Sequence, residues 1–191
     1  MLSDPIELVS SRLIIRSAGE ADQDAIAACW AESNMQKYQP AVYRNHRAVW
    51  KGPTTSGPTY DYRIFTFSLK QSCLIMGILT CIFYPDTQMV LLGWYLKPRY
   101  EGRGYATEAG LTLRNYLFEG CQIRALLSHS FAHHTASRRI MEKLGMTQQK
   151  LTCKRQLEIQ WYYQEWRPIV SYGLRRENWQ DLMRPGQSCG P

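Results

Sequence analysis

The chain has 191 residues, 45% of them apolar, which suits one globular core and leaves no room for two well-separated ones. Its longest strongly apolar run, CLIMGILTCIF, is too short to span a bilayer, and the six cysteines show no CxxC spacing, which argues against a zinc site or a disulfide framework. A formal charge of +7 either serves solubility or marks a polyanionic ligand, nucleic acid or a phosphorylated cofactor.

The opening MLSDPIELVSSRL has no basic segment followed by an apolar one, so no secretory signal is read and a cytoplasmic location is expected. RLIIRS, residues 12–17, predicts a first strand, and 20–33 a helix with Ala25, Ile26, Cys29 and Trp30 on one side. Residues 37–60 include the loop composition KGPTTSGP. From Tyr62 the period becomes two, and the turns KQS and YPDTQ divide an antiparallel meander ending in MVLLGWYL. A helix is predicted over 105–119 on the stripe Ala106, Ala109, Leu113 and Leu117. IRALLSHSF reads as a strand, and TASRRIMEKLG as a helix that Gly145 stops. TQQKLTCKRQLEI and IVSYGLRR read as closing strands, ENWQDLM as a helical turn, and RPGQSCGP, residues 184–191, as a flexible tail. This order predicts an α/β (α+β) domain over 1–183 around a mixed sheet.

PRYEGRGYATEAG, between strand and helix, is the segment richest in chemical meaning. It is not a Walker loop, because no GK[ST] follows, and a GxGxxG fingerprint would need glycine where Thr107 stands. A short glycine loop feeding a helix N-terminus aims backbone N–H groups and the positive helix end at one point, and Arg99 and Arg103 add charge. Such a loop either seats a pyrophosphate or only allows the turn.

Arg99-x-x-Gly102-x-Gly104 resembles motif A of the GCN5-related N-acetyltransferases (GNAT), [RQ]xxGx[GA], and the GRGYATEA continuation resembles their ribosomal-protein (RimJ/RimL-like) branch. HTASRRIMEKLGM resembles that branch's second motif, NxxSxxxxEKLGF, and IVSYGLRRENW resembles its closing strand. The likeness covers roughly residues 12–179. It implies the GNAT fold, a mixed, mostly antiparallel sheet of about seven strands flanked by helices. The fourth and fifth strands of that count, MVLLGWYL and IRALLSHSF, would splay to hold acetyl-CoA.

The resemblance implies an acetyl transfer from acetyl-CoA to an amine, with no metal. Backbone groups near Tyr95 and Leu96 would pair with the pantetheine arm, and the N–H groups of Glu101, Gly102, Arg103, Gly104, Tyr105, Ala106 and Thr107 would hold the pyrophosphate. His134 stands at the second motif's asparagine, and Lys143 either meets CoA charge or is a solvated helix lysine. Ser137 matches the serine near the CoA sulfur, or else caps its helix. The family's tyrosine acid falls at Met141 and its usual glutamate at Leu91, so the base is left open. His129, on the strand that opens the gap, is the first candidate base, set against a histidine that only packs or faces solvent. Glu158 and Glu165 rank below it. Glu108 is read as structural, an acid favouring the helix N-terminus.

The acceptor side is expected from residues 37–60 and from QLEIQWYYQEW, which lack the dense acids a polycation would want. That favours a protein N-terminus or a small amino compound. A homodimer is compatible with this reading, and no membrane partner is expected. Two rivals are a catalytically degenerate CoA-binding protein, motivated by Leu91 and His134, and a basic nucleic-acid binder using tryptophan and tyrosine stacking. Dispersed charge and the lack of a nucleic-acid motif weigh against the second.

Overall fold

In a computed structural model of the chain, residues 5–32, 60–150 and 168–184 are described. Their strands are β1 (Glu7–Val9), β2 (Leu13–Ser17), β3 (Asp61–Leu69), β4 (Gly77–Tyr84), β5 (Met89–Leu96), β6 (Ala125–Phe131), β7 (Thr147–Gln149) and β8 (Ile169–Arg175). The helices are α1 (Gln23–Glu32), α2 (Tyr105–Glu119), α3 (Thr135–Lys143) and α4 (Arg176–Met183). All eight strands join one sheet in the order β1-β2-β3-β4-β5-β6-β8-β7. Every neighbouring pair is antiparallel except β5 with β6.

Strand alternation gives the sheet two faces. On one face Phe65, Phe67, Leu79, Val90, Leu92, Leu126, Tyr172 and Leu174 pack with Ala109, Leu113 and Leu117 of α2 and Met141 of α3. On the other, Ile64, Ile78 and the partly buried Tyr95 pack with Ile26 and Trp30 of α1. Trp30 meets Tyr95 edge-on at 6.2 Å between ring centroids. Arg16 holds the entry to α1 by a two-pronged ion pair with Asp22, 2.7 Å on each side. Burial also reaches charge: Arg114 of α2 is 7% exposed and donates to the Leu144 carbonyl at 2.8 Å, at the C-terminal end of α3.

The predicted helices over 105–119 and from Thr135 stand where expected, and Gly145 has the left-handed φ of +77° that stops α3. Differences fall at strand ends. β1 is an addition: three residues pairing with β2 around the SSR turn, too short to show a period in sequence. The helix expected from Glu20 opens as a 3-10 turn, Glu20–Asp22. The strand expected from Cys73 begins at Gly77, because Leu74 is 64% exposed and outside the sheet. Only the first three residues of the strand expected from Thr147 are seen as β7, and the segment from 151 lies outside the described residues. No helix among the described residues is long and apolar enough to cross a membrane.

Candidate active site

β5 and β6 pair at only three positions, Met89↔Ala125, Val90↔Leu126 and Leu91↔Leu127. Beyond them β5 follows β4 to Leu96, and β6 follows β8 to Phe131. Each strand is held by its outer neighbour, so the two part and leave a V-shaped gap. The Ser128 hydroxyl, buried at the root of the gap, donates to the Leu92 carbonyl at 2.9 Å. It gives a partner to a carbonyl that lies past the end of the parallel ladder. Tyr95 and Leu96 belong to the edge of β5 that borders the opening, a place where an extended, amide-bearing arm can add as a strand.

Where β5 ends, the chain turns through Pro98–Tyr100, and the Glu101 N–H donates to the Pro98 carbonyl at 3.0 Å. That N–H is therefore engaged within the turn, and the set able to face a ligand starts at Gly102 rather than Glu101. Gly102 and Gly104 have φ of +73° and +79°, the left-handed region that side-chain-bearing residues rarely adopt. The first intrahelical bond of α2 runs from the Glu108 N–H to the Gly104 carbonyl at 3.0 Å, and no side chain caps the helix. Tyr105, Ala106 and Thr107 thus present N–H groups without helical acceptors at the positive end of a 15-residue helix. A Cβ placed on Gly102 would meet no atom within 4 Å, so the cradle is open on that side. Arg99 and Arg103 are exposed at its rim. These features fit a pyrophosphate, which needs convergent backbone donors more than any single side chain.

α3 starts at the open end of the gap, directly after β6. His134 is its N-cap residue, and Ser137, one turn further in, is 7% exposed. Burial, followed by the nearby His133, pushes the His134 imidazole below its ordinary pKa and favours the neutral ring. Met141 is fully buried in the core, so no polar group stands at that position. Lys143 is exposed in the last turn of α3, at the opposite end of that helix from Ser137. His129 lies on the α1 face by strand alternation, since its neighbour Ser128 turns into the gap root on the α2 side. By continuation of the parallel register, Gly93 stands across the opening from His129. A Cβ on Gly93 would lie 2.6 Å from Thr80 Oγ1 and 3.6 Å from the Tyr95 hydroxyl, so that hydroxyl folds back toward the same spot.

A family model for the acetyltransferase (GNAT) domain matches residues 12–147, most of the chain. The chain belongs to the GNAT acetyltransferase family. It is 25% identical over 142 residues to the uncharacterized N-acetyltransferase YnaD of Bacillus subtilis (strain 168), a match covering 74% of this chain and 82% of that protein. A GNAT-family acetyltransferase from Bacillus anthracis superposes with a TM-score of 0.68 at 22% identity, over 90% of this chain and 99% of the other. The RimL ribosomal L7/L12 α-N-protein acetyltransferase in complex with coenzyme A also superposes with a TM-score of 0.68, at 14% identity, over 89% of this chain and 98% of that one.

Within this GNAT domain, the segments expected to form the acceptor side, residues 37–60 and 156–166, lie outside the described residues apart from Tyr60, as do the weaker base candidates Glu158 and Glu165. Three groups at the site escaped sequence reasoning: Ser128, the Tyr95 hydroxyl, and the β1–β2 turn beside the loop. Ser128 alone left a trace, a small hydroxyl on the core-facing phase of ALLSHSF.

Glu108 is structural, as expected, with far more partners than a helix-end acid needs. Burial opposes its ionisation, but hydrogen bonds from Ser10, the Arg12 N–H, the Arg12 guanidinium and Ser11 outweigh it and hold the carboxyl at about 2. The folded-state value is depressed, so the stabilisation is complete above the ordinary value of 4.5 and is lost as pH falls toward about 2. Thermal melts of wild type and Glu108→Gln should differ most at pH 6–7, the gap narrowing below about pH 4.5 and closing near about pH 2. A gap that stays constant down to pH 2 would contradict this assignment.

Proposed function

We propose that the protein transfers an acetyl group from acetyl-CoA to a primary amine, a protein N-terminus or a small amino compound, directly within a ternary complex. The observation carrying this reading is the parallel strand pair that opens beside an uncapped, glycine-bordered helix N-terminus. An amide-rich arm matches the β5 edge at Tyr95 and Leu96, and a pyrophosphate matches the N–H groups of residues 102–107, with Arg99 and Arg103 adding charge at the rim. Lys143 is left to a supporting charge role at most, because it is exposed at the far end of α3.

Acetyl-CoA supplies an activated thioester. The chain must then free the amine of its proton, steady charge on the carbonyl oxygen and return a proton to the thiolate. Ser137, buried in the first turn of α3 at the open end of the gap, is assigned the thiolate-side donor, next to a His134 that burial keeps neutral. His129, on the opposite face, is assigned the base. This places the thiol-side and amine-side proton transfers on opposite sides of the sheet, as an acceptor approaching from the α1 face requires.

On the α1 side, Glu32 at the end of that helix lies 3.3 Å from the buried Lys97. A carboxylate already neutralised by a lysine draws a polycation weakly, which supports a singly charged amine. The RimL neighbour, named for the α-amino group of a ribosomal protein, points the same way.

The test is thiol release from acetyl-CoA over a panel of N-terminal peptides and small amines, alongside calorimetry with acetyl-CoA. Tight binding with no turnover on any amine would instead establish the non-catalytic reading that Leu91 and His134 motivate. Ser137→Ala is expected to lower kcat about tenfold or more while leaving the Kd for acetyl-CoA within about twofold. Wild-type turnover would remove Ser137 from the mechanism.

A further inference from the structure

We infer that the β1–β2 turn sets the shape of the anion loop, with Arg12 and Glu108 as positioning residues; this rests on the acetyl-CoA reading of that loop. Glu108 stands in the first turn of α2, and its carboxylate gathers the turn. Glu108 Oε1 accepts from Ser10 Oγ at 2.7 Å, Ser11 Oγ at 2.9 Å and the Arg12 N–H at 2.8 Å, and Oε2 accepts from Arg12 Nε at 2.6 Å. These residues are 96–98 positions away in sequence. Four donors on one carboxylate fix its position far more tightly than a single exposed ion pair would.

The free end of Arg12 then reaches the loop itself. Arg12 Nη1 donates to the Arg103 carbonyl at 3.2 Å, the guanidinium carbon stands 4.5 Å from the Tyr105 ring centroid, and Nη2 is 3.6 Å from where a Gly104 Cβ would lie. One side chain therefore contacts Arg103 and Tyr105 and flanks the Gly104 between them. A peptide unit is planar and trans, so its C=O and N–H point in opposite directions. With the Arg103 carbonyl drawn to Arg12, the Gly104 N–H is turned away from the β1–β2 turn, toward the side where the other N–H groups converge.

Charge gives the pair a second task. A lone carboxylate in the first turn of α2 would compete with a pyrophosphate for the positive helix end. Arg12 cancels that charge locally, so the clasp brings geometry to the anion without repelling it. Arg12 and Glu108 themselves leave the anion to the backbone.

The experiment compares CoA with pantetheine, which lacks the pyrophosphate, on wild type, Arg12→Gln and Arg12→Lys. CoA is titrated by calorimetry, and pantetheine by amide chemical shifts of 15N-labelled protein, which read millimolar affinities. Arg12→Lys keeps the charge but not the planar fork that spans Glu108 and the Arg103 carbonyl, and it guards against a misfolded glutamine variant. Both variants are expected to weaken CoA about tenfold or more, as loss of charge-assisted hydrogen bonds does, with pantetheine affinity within about twofold. The Gly104 amide shift induced by CoA in wild type should shrink in both. In turnover, KM for acetyl-CoA should rise while kcat holds. Equal weakening of CoA and pantetheine would mean a merely structural role, and unchanged CoA affinity would overturn the clasp alone. Wild type that fails to bind CoA would remove the acetyl-CoA reading instead.

Discussion

Gly104→Val is expected to raise the Kd for acetyl-CoA by about 10–100-fold, the range that about 1–3 kcal/mol of backbone strain produces. Gly104 has a φ of +79° at the N-cap of α2, where a β-branched residue is most strongly disfavoured. Valine would push the N-cap toward extended backbone and turn the N–H groups of residues 104–107 off their common point. The reason is conformational more than steric, because the added Cβ would face Arg12 Nη2 at 3.6 Å, an ordinary contact. Gly102→Ala makes the contrast: φ is +73° and strain remains, but alanine is not β-branched and Gly102 is not the N-cap, so the loss should be smaller. Calorimetry with acetyl-CoA reads both, and a Gly104→Val affinity within twofold of wild type would show that the loop does not hold the pyrophosphate.

His129→Gln is expected to lower kcat by about 100-fold or more, the scale of a lost general base, with acetyl-CoA affinity unchanged. The imidazole lies on the α1 face, and by continuation of the parallel register it stands across the opening from Gly93. In the proposed mechanism, an amine arriving there would meet the carbonyl carbon from the side opposite Ser137. The pH–rate profile separates a base from a packing residue: wild type should lose rate on the acid side as the imidazole protonates, and the glutamine variant should lack that limb. A variant with wild-type turnover and an unaltered profile would move the base to another group or to water.

Local chemistry made part of this site legible. The helix over 105–119 was readable because glycines at 104 and 120 bracket a regular apolar stripe. The end of α3 was readable because Gly145 alone could take a φ of +77° there. The gap was less so: it depends on β5 and β6 pairing for three positions and then following other partners, and a strand's composition does not state where pairing stops. Ser128, the hydroxyl at the gap root, shows in sequence only as a serine on the core-facing phase of its strand, with no sign of its partner.

Sequence by itself determined the element order from Arg12 to Gly145, the glycine loop before its helix and the two linked motifs, since each depends on residues within a turn or two of one another. Tertiary structure alone decided which groups meet: Ser10, Ser11 and Arg12 with Glu108, and Ser137 and His129 on opposite faces. The physical reason is one of range. Dihedral preference and hydrophobic period act over a few residues and leave a mark on adjacent positions. Hydrogen bonds across 96–98 positions are set by how a hairpin lands on a helix, and no local pattern encodes that landing.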